Sequence, residues 1–192
     1  KKKKKRQVII TKNRTDNSYS DWITYHHILT KNNFVKLNST AALATNSPYN
    51  GANVTSTTYN VSIDLVEQKD YVTYCFAPIQ GYSKFDSYEG NSNANGPFIY
   101  TGFKPAFVML KPVDIAEQWV MHDGTRDPFN KAYHYLFANG AEAEASGGTH
   151  HIDLLSNGFK IRTSNNNWNT TNSSGFIYMA WAENPFVTST GI

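Results

Sequence analysis

Apolar positions in this chain come in short runs separated by polar, turn-forming residues. In the first part these are Val8-Ile9-Ile10-Thr11-Lys12, Trp22-Ile23-Thr24-Tyr25-His26-His27, Phe34-Val35-Lys36-Leu37-Asn38 and Tyr71-Val72-Thr73-Tyr74-Cys75-Phe76-Ala77. Runs of about four to eight residues between Gly, Asn, Ser and Pro are the signature of strands. The best helical candidate is 130–144, but it contains the turn dipeptide Asn139-Gly140, which leaves room for one helical turn at most. Trp119-Val120-Met121 and Phe176 to Trp181 are apolar at successive positions. That pattern predicts central strands covered on both faces, or sites of subunit contact.

The runs repeat. Phe107-Val108-Met109-Leu110-Lys111 answers the first, and Trp119-Val120-Met121-His122-Asp123 the second. Tyr135-Leu136-Phe137-Ala138-Asn139 answers the third, and Phe176-Ile177-Tyr178-Met179-Ala180-Trp181-Ala182 the fourth. Four landmarks in one order, about a hundred residues apart, point to two copies of one unit. Ahead of the second copy, Phe85 to Lys104 reads as a strand, a Gly/Asn-rich turn over Gly90–Gly96, and a strand from Pro97 to Tyr100. The first copy has only a lysine run there, so we expect 1–192 to begin in mid-unit with more of a parent protein upstream. The expected fold is all-β: two tandem related β-sandwich (jelly-roll-like) units, 7–84 and 85–192, the first lacking its opening strands, after a basic tail over 1–6.

Composition agrees, with 14% aromatic but only 17% charged residues. The formal charge of +3 misleads, because Lys1–Arg6 supply six positive charges and leave the remainder at −3. A solvated or artificial tail is the expected reading, and the body lacks the basic patch of a nucleic-acid binder. The single cysteine, Cys75, excludes an internal disulfide and lies in an apolar run, so a buried thiol is expected. No run reaches the roughly 18 apolar residues of a membrane span, so no membrane insertion is expected.

Several stretches taken together resemble a family. They are Gly81-Tyr82-Ser83-Lys84-Phe85, Ser87-Tyr88-Glu89-Gly90-Asn91, Gly96-Pro97-Phe98-Ile99-Tyr100-Thr101-Gly102-Phe103-Lys104-Pro105, Asp153-Leu154-Leu155-Ser156-Asn157-Gly158-Phe159-Lys160 and Tyr178-Met179-Ala180-Trp181-Ala182-Glu183-Asn184-Pro185-Phe186. As an ordered set they look like a repeated domain of tail-fibre and tail-associated proteins of marine phages, especially cyanophages, over nearly all of Gln7 to Phe186. The resemblance implies a virion structural protein of an extracellular tail appendage, a homotrimer with other tail proteins as partners, and no catalytic residues. The chain departs from it at Lys1–Arg6, where that family carries a Gly- and Pro-containing turn.

Candidate chemistry is sparse. His26-His27 and His150-His151 are adjacent, so on a strand their side chains point to opposite faces and cannot chelate one ion. His26, His122 and Asp123 can converge if the copies pack together, although a histidine beside a buried tryptophan is usually structural. Asp123, Asp127 and Asp153 are the candidate acid–base carboxylates, but Asp123-Gly124-Thr125-Arg126-Asp127-Pro128 reads more simply as a capped turn with a salt bridge. Asp64 and Asp153 follow isoleucine in each copy and suit loop-holding hydrogen bonds. There is neither a Gly-X-Ser-X-Gly elbow nor a phosphate loop.

Glycan binding needs exposed aromatic faces beside amides and hydroxyls. Trp168, flanked by Asn167 and Asn169, has that composition, with Tyr49 and Tyr88 as weaker candidates; the bland alternative has Trp168 covering the base of its own loop. Trp22, Trp119, Trp181 and Phe76 sit at repeated positions and are expected in the core. The leading expectation is a non-catalytic fibre module for host-surface attachment, with a host glycan or protein as partner and neither cofactor nor metal. A lectin-like module of a cellular surface or secreted filament and a glycan-degrading enzyme are the rivals.

Overall fold

A computed structural model describes residues 5–15, 21–29, 32–45, 54–59, 69–146, 148 and 150–185. The chain is all-β, and there is no helix among the described residues, the 130–144 stretch included. Four strands fall in the first part: β1 (Val8–Asn13), β2 (Trp22–His26), β3 (Val35–Lys36) and β4 (Tyr71–Phe76). Eight follow: β5 (Ser83–Tyr88), β6 (Phe98–Tyr100), β7 (Pro105–Pro112), β8 (Val120–Asp123), β9 (Leu136–Phe137), β10 (Ile152–Leu155), β11 (Gly158–Ile161) and β12 (Phe176–Ala182). They form a four-stranded sheet β3-β2-β1-β4, a five-stranded sheet β5-β12-β7-β8-β9 and a three-stranded sheet β10-β11-β6.

The sequence correspondence has a geometric counterpart. The order β4-β1-β2-β3 recurs as β12-β7-β8-β9, all antiparallel. The bridge between Phe34 and Ala44 recurs between Tyr135 and Ala145. The Trp22 amide donates to Asn38 Oδ1 at 2.9 Å, and the Trp119 amide to Asn139 Oδ1 at 2.7 Å. Each tryptophan carbonyl then accepts from the residue before that asparagine, Leu37 at 2.9 Å and Ala138 at 3.0 Å. The extra strand β5 pairs with β12 on the side away from β7.

Period-two alternation explains the layering. On β12, Phe176, Tyr178, Ala180 and Ala182 join Val108, Leu110 and Val120 in one core, closed by Ile99, Ile152, Leu154, Phe159 and Ile161 of the three-stranded sheet. The intervening Ile177 and Met179, with Phe85 and Trp119, join a second core made with Val8, Ile10 and Val35 of the four-stranded sheet. The five-stranded sheet is thus a middle layer, and six of the seven residues of β12 are buried. The two copies are therefore not separate sandwiches but share an interior. The boundary expected after residue 84 falls inside β5, because that strand hydrogen-bonds to β12 and carries Phe85 into the shared core.

Both copies offer the same face to this interior, and equivalent residues meet there. Phe76 and Trp181 touch edge to face at 5.7 Å, the self-complementary arrangement of an isologous interface. Hydrogen bonds also cross it. Trp119 Nε1 donates to Lys36 O at 2.9 Å, and the Leu43 amide to Val113 O at 2.7 Å. His27 Nε2 lies 2.9 Å from Phe85 O. The fully buried ammonium of Lys111 donates to Pro112 O at 2.9 Å, and to Thr40 O and Ile115 O at 3.3 Å each. Burial lowers its pKa to about 8, against the opposing pull of Glu117 and Asp114.

Of the four repeated aromatics expected in the core, Trp119 is fully buried, while Trp22, Phe76 and Trp181 are half-buried and pack against the shared core. The buried thiol is a correction: Cys75 is exposed. It alternates with Phe76 on β4, which ends its sheet, and so points away from the shared interior. No helix among the described residues is long and apolar enough to cross a membrane.

Candidate functional site

The asparagine-rich loop around Trp168 packs inward. The Trp168 side chain is 1% exposed, its ring stacked on His150 at 5.1 Å and edge-on to Tyr135 at 5.0 Å. Its Nε1–H donates to His122 Nε2 at 2.8 Å. An indole N–H can only donate, so His122 Nε2 accepts and the ring's proton sits on Nδ1. That nitrogen is buried without a hydrogen-bond partner.

The neighbours are equally committed. Asn169, fully buried, donates through Nδ2 to Asn91 Oδ1, Asn93 O and Thr163 O, and accepts from the Asn91 amide at 2.6 Å. It clamps the Gly/Asn turn to this loop, closely enough that a Cβ on Gly90 would lie 2.4 Å from Thr170 O. Asn167, half-buried, accepts from the Gln118 amide at 2.7 Å. Tyr88 is buried, stacked on Phe176 at 4.8 Å, with its hydroxyl donating to Trp168 O at 2.7 Å.

Trp168, Asn169 and Tyr88 are therefore not an exposed stacking face, which corrects the glycan expectation placed on them. Their polar atoms hold two loops over the middle sheet. Tyr49 and Asp64 lie outside the described residues.

The carboxylates read as structural. Asp123 Oδ1 accepts from the Thr125 and Arg126 amides at 3.0 and 2.9 Å, while Arg126 also pairs with Asp123 Oδ2 and Glu144. Asp127 accepts from His134, through its amide and through Nδ1, each at 2.7 Å. Asp153 faces Arg162 at 3.5 Å. His26 and His122 do not converge. His26 lies beside Val8 in the shared interior, with Nε2 at 3.3 Å from Tyr178 O, whereas His122 sits across the middle sheet with Trp168. Among the described residues, no group of three or more His, Cys, Asp or Glu is placed to hold a metal ion.

Burial lowers the pKa of both His26 and His122 to about 3; His27 adds to the effect on the first, and Asp127 opposes it on the second. The folded chain keeps both neutral where unfolded histidines, with a pKa near 6.5, take up protons. Stability present above pH 6.5 is thus lost as the pH falls toward 3, by up to about 1.4 kcal/mol per pH unit for each histidine. Urea unfolding at about pH 7 and about pH 5.5 measures the loss, and His122→Gln, which does not titrate, makes it smaller.

Tyr74, Phe129, Phe98 and Tyr100 are the exposed aromatics among the described residues, and the last two stand together on β6. Its alternation buries Ile99 in the core beneath and turns Phe98 and Tyr100 outward, 45% and 58% exposed. The strand ends its sheet, with Phe98 opposite Lys160 and Tyr100 opposite Gly158. Gly158 is required there, since a Cβ would fall 2.1 Å from Ile99 O. Lys84 donates to Tyr100 O at 2.7 Å and holds its ammonium 5.7 Å from the Tyr100 ring centroid. Beside them opens a cleft of about 440 Å³ lined by Ile79, Gln80, Gly81, Lys84, Tyr100 and Gly102. A stacking ring, an amide, an ammonium and an apolar wall thus meet at one exposed place. Sequence reasoning placed a strand here but not a site. The available signal was three successive apolar residues on a short strand, which leaves one face no polar residue to show to water.

A family model described as Domain of unknown function (DUF7483) matches residues 2–185. No curated protein and no solved structure matches the chain.

Proposed function

The chain belongs to the DUF7483 family, and from that premise we propose that it is a non-catalytic attachment module of a tail-fibre-type virion appendage, meeting host-surface glycan through the β6 surface. The observation that carries this reading is the outward pair Phe98 and Tyr100 beside the Lys84–Gln80 cleft. The resemblance of the ordered motifs to a repeated domain of phage tail proteins supports the same reading. The interior adds to it: copies that share a core make a stiffer spacer than units of about 90 residues, each with a modest core of its own. The non-catalytic part rests on the candidate carboxylates, each of which is engaged in a turn or an ion pair. In a homotrimeric fibre, three weak sites would combine through effective concentration.

The test is a Phe98→Ser/Tyr100→Ser variant. Stacked aromatics contribute about 0.5–1.5 kcal/mol each, so losing both lowers affinity for host cells about tenfold. The melting temperature falls only slightly, because about half of each side chain is already in water. Unchanged adsorption by the folded variant removes this surface, and new reducing ends from host polysaccharide would reinstate an enzyme.

A further inference from the structure

A second opening, on the other side of the β10–β11 hairpin's first strand, has a different chemistry. It is a cleft of about 490 Å³ with Lys131, His151, Arg162, Thr163 and Ser164 in its wall. The backbone fixes these residues relative to one another. Ala132 and Ile152 bridge antiparallel, their amides and carbonyls bonded at 2.8 and 3.3 Å, and the Arg162 amide donates to His151 O at 3.1 Å. Lys131, His151 and Arg162 are therefore carried on adjoining segments rather than on one loose loop.

Their charges are only partly answered. Lys131 is exposed and forms no ion pair among the described residues. Arg162 meets Asp153 through Nε at 3.5 Å, a long contact that does not use up the five donors of a guanidinium. His151 is 7% exposed, and its Nδ1 is buried without a hydrogen-bond partner. Two cations against one carboxylate, in a body that carries −3 outside its basic tail, mark a local excess of positive charge. Burial, with Lys131 and Arg162 nearby, lowers the pKa of His151, so the imidazole adds a polar wall rather than a third charge.

We infer that the Lys131–His151–Arg162 cleft binds an anionic substituent of a saccharide, a phosphate, sulfate or carboxylate group. The Arg162 fork and the Lys131 ammonium take the oxygens, and the exposed Ser164 lines the place of the sugar. The inference stands apart from the β6 surface, which offers stacking rather than charge.

Titration of the full ¹⁵N-labelled chain with glucose 6-phosphate tests it, with glucose as the neutral control. The expected result is a saturable shift of the amide signals of His151 and Arg162–Ser164 with the phosphorylated sugar and none with glucose. Glucuronate and N-acetylglucosamine 6-sulfate, run alongside, tell which anionic group is preferred. Lys131→Gln weakens binding about tenfold, the loss of one charge-assisted contact, without affecting folding because its side chain is exposed. Arg162→Gln weakens it at least as much. Equal shifts with glucose, no shift with any of the three anions, or full affinity in Lys131→Gln would overturn the inference. Phe98→Ser/Tyr100→Ser retains phosphate-sugar binding, so failure here and failure of the attachment surface are distinguishable.

Discussion

Replacing Trp168 with Ala lowers the unfolding free energy by about 3–5 kcal/mol, the range for a buried tryptophan truncated in a packed site. The side chain fills the space between His150, Tyr135 and His122. Its removal also strips the partner from His122 Nε2, leaving a ring with both nitrogens buried and unpaired. Trp168→Phe separates the contributions: it restores most of the apolar fill but not the N–H, and costs about 1–3 kcal/mol for the unsatisfied acceptor. Urea denaturation with an unchanged m-value checks both. A Trp168→Ala chain of undiminished stability that had lost glycan affinity would return the loop to the role its composition suggests.

The second large effect is expected at Trp119. This side chain is 1% exposed, lies in the shared core and holds Lys36 O across it at 2.9 Å. Trp119→Ala costs about 3–5 kcal/mol, and the diagnostic is where the loss is felt. Because Val8, Ile10 and Val35 share that core with Ile177 and Met179, amide exchange protection should fall together in β1 and β12. Protection retained in β1 while β12 loses it would mean that the two copies are energetically separate, against the geometry.

Much of the strand content was legible because it is written locally. Val8 to Lys12 and Phe107 to Lys111 announce strands by composition and by the turn formers around them. The central position of β12 was half legible, since seven nearly uninterrupted apolar or small residues suit a strand covered on both faces or a site of subunit contact, and six of them are buried within the chain. What local pattern does not encode is the partner. Trp168 sits in as polar a stretch as any in the chain, yet its surroundings come from β8, from Tyr135 and from His150. Cys75 shows the opposite error, an apolar run on a strand at a sheet's edge where it and Tyr74 are exposed. The expected break after residue 84 lies inside β5, whose pairing with β12 leaves no mark in the intervening residues.

Those distant pairings bear on how the chain reaches its fold. Tyr88 and Trp168, joined by a hydrogen bond, are 80 residues apart, and His26 and Tyr178 are 152 apart. Each such contact closes a long loop before it returns any energy, so folding belongs to the slow range of all-β chains, roughly milliseconds to seconds. During synthesis the order of events is harsher still. At roughly 5–20 residues per second, the apolar side of β1 and β2 waits about 8–30 s for β12 to emerge and cover it. Through that interval the nascent first half is a sheet with one greasy side bare, a natural client for a chaperone and the stage at which crowded chains would aggregate.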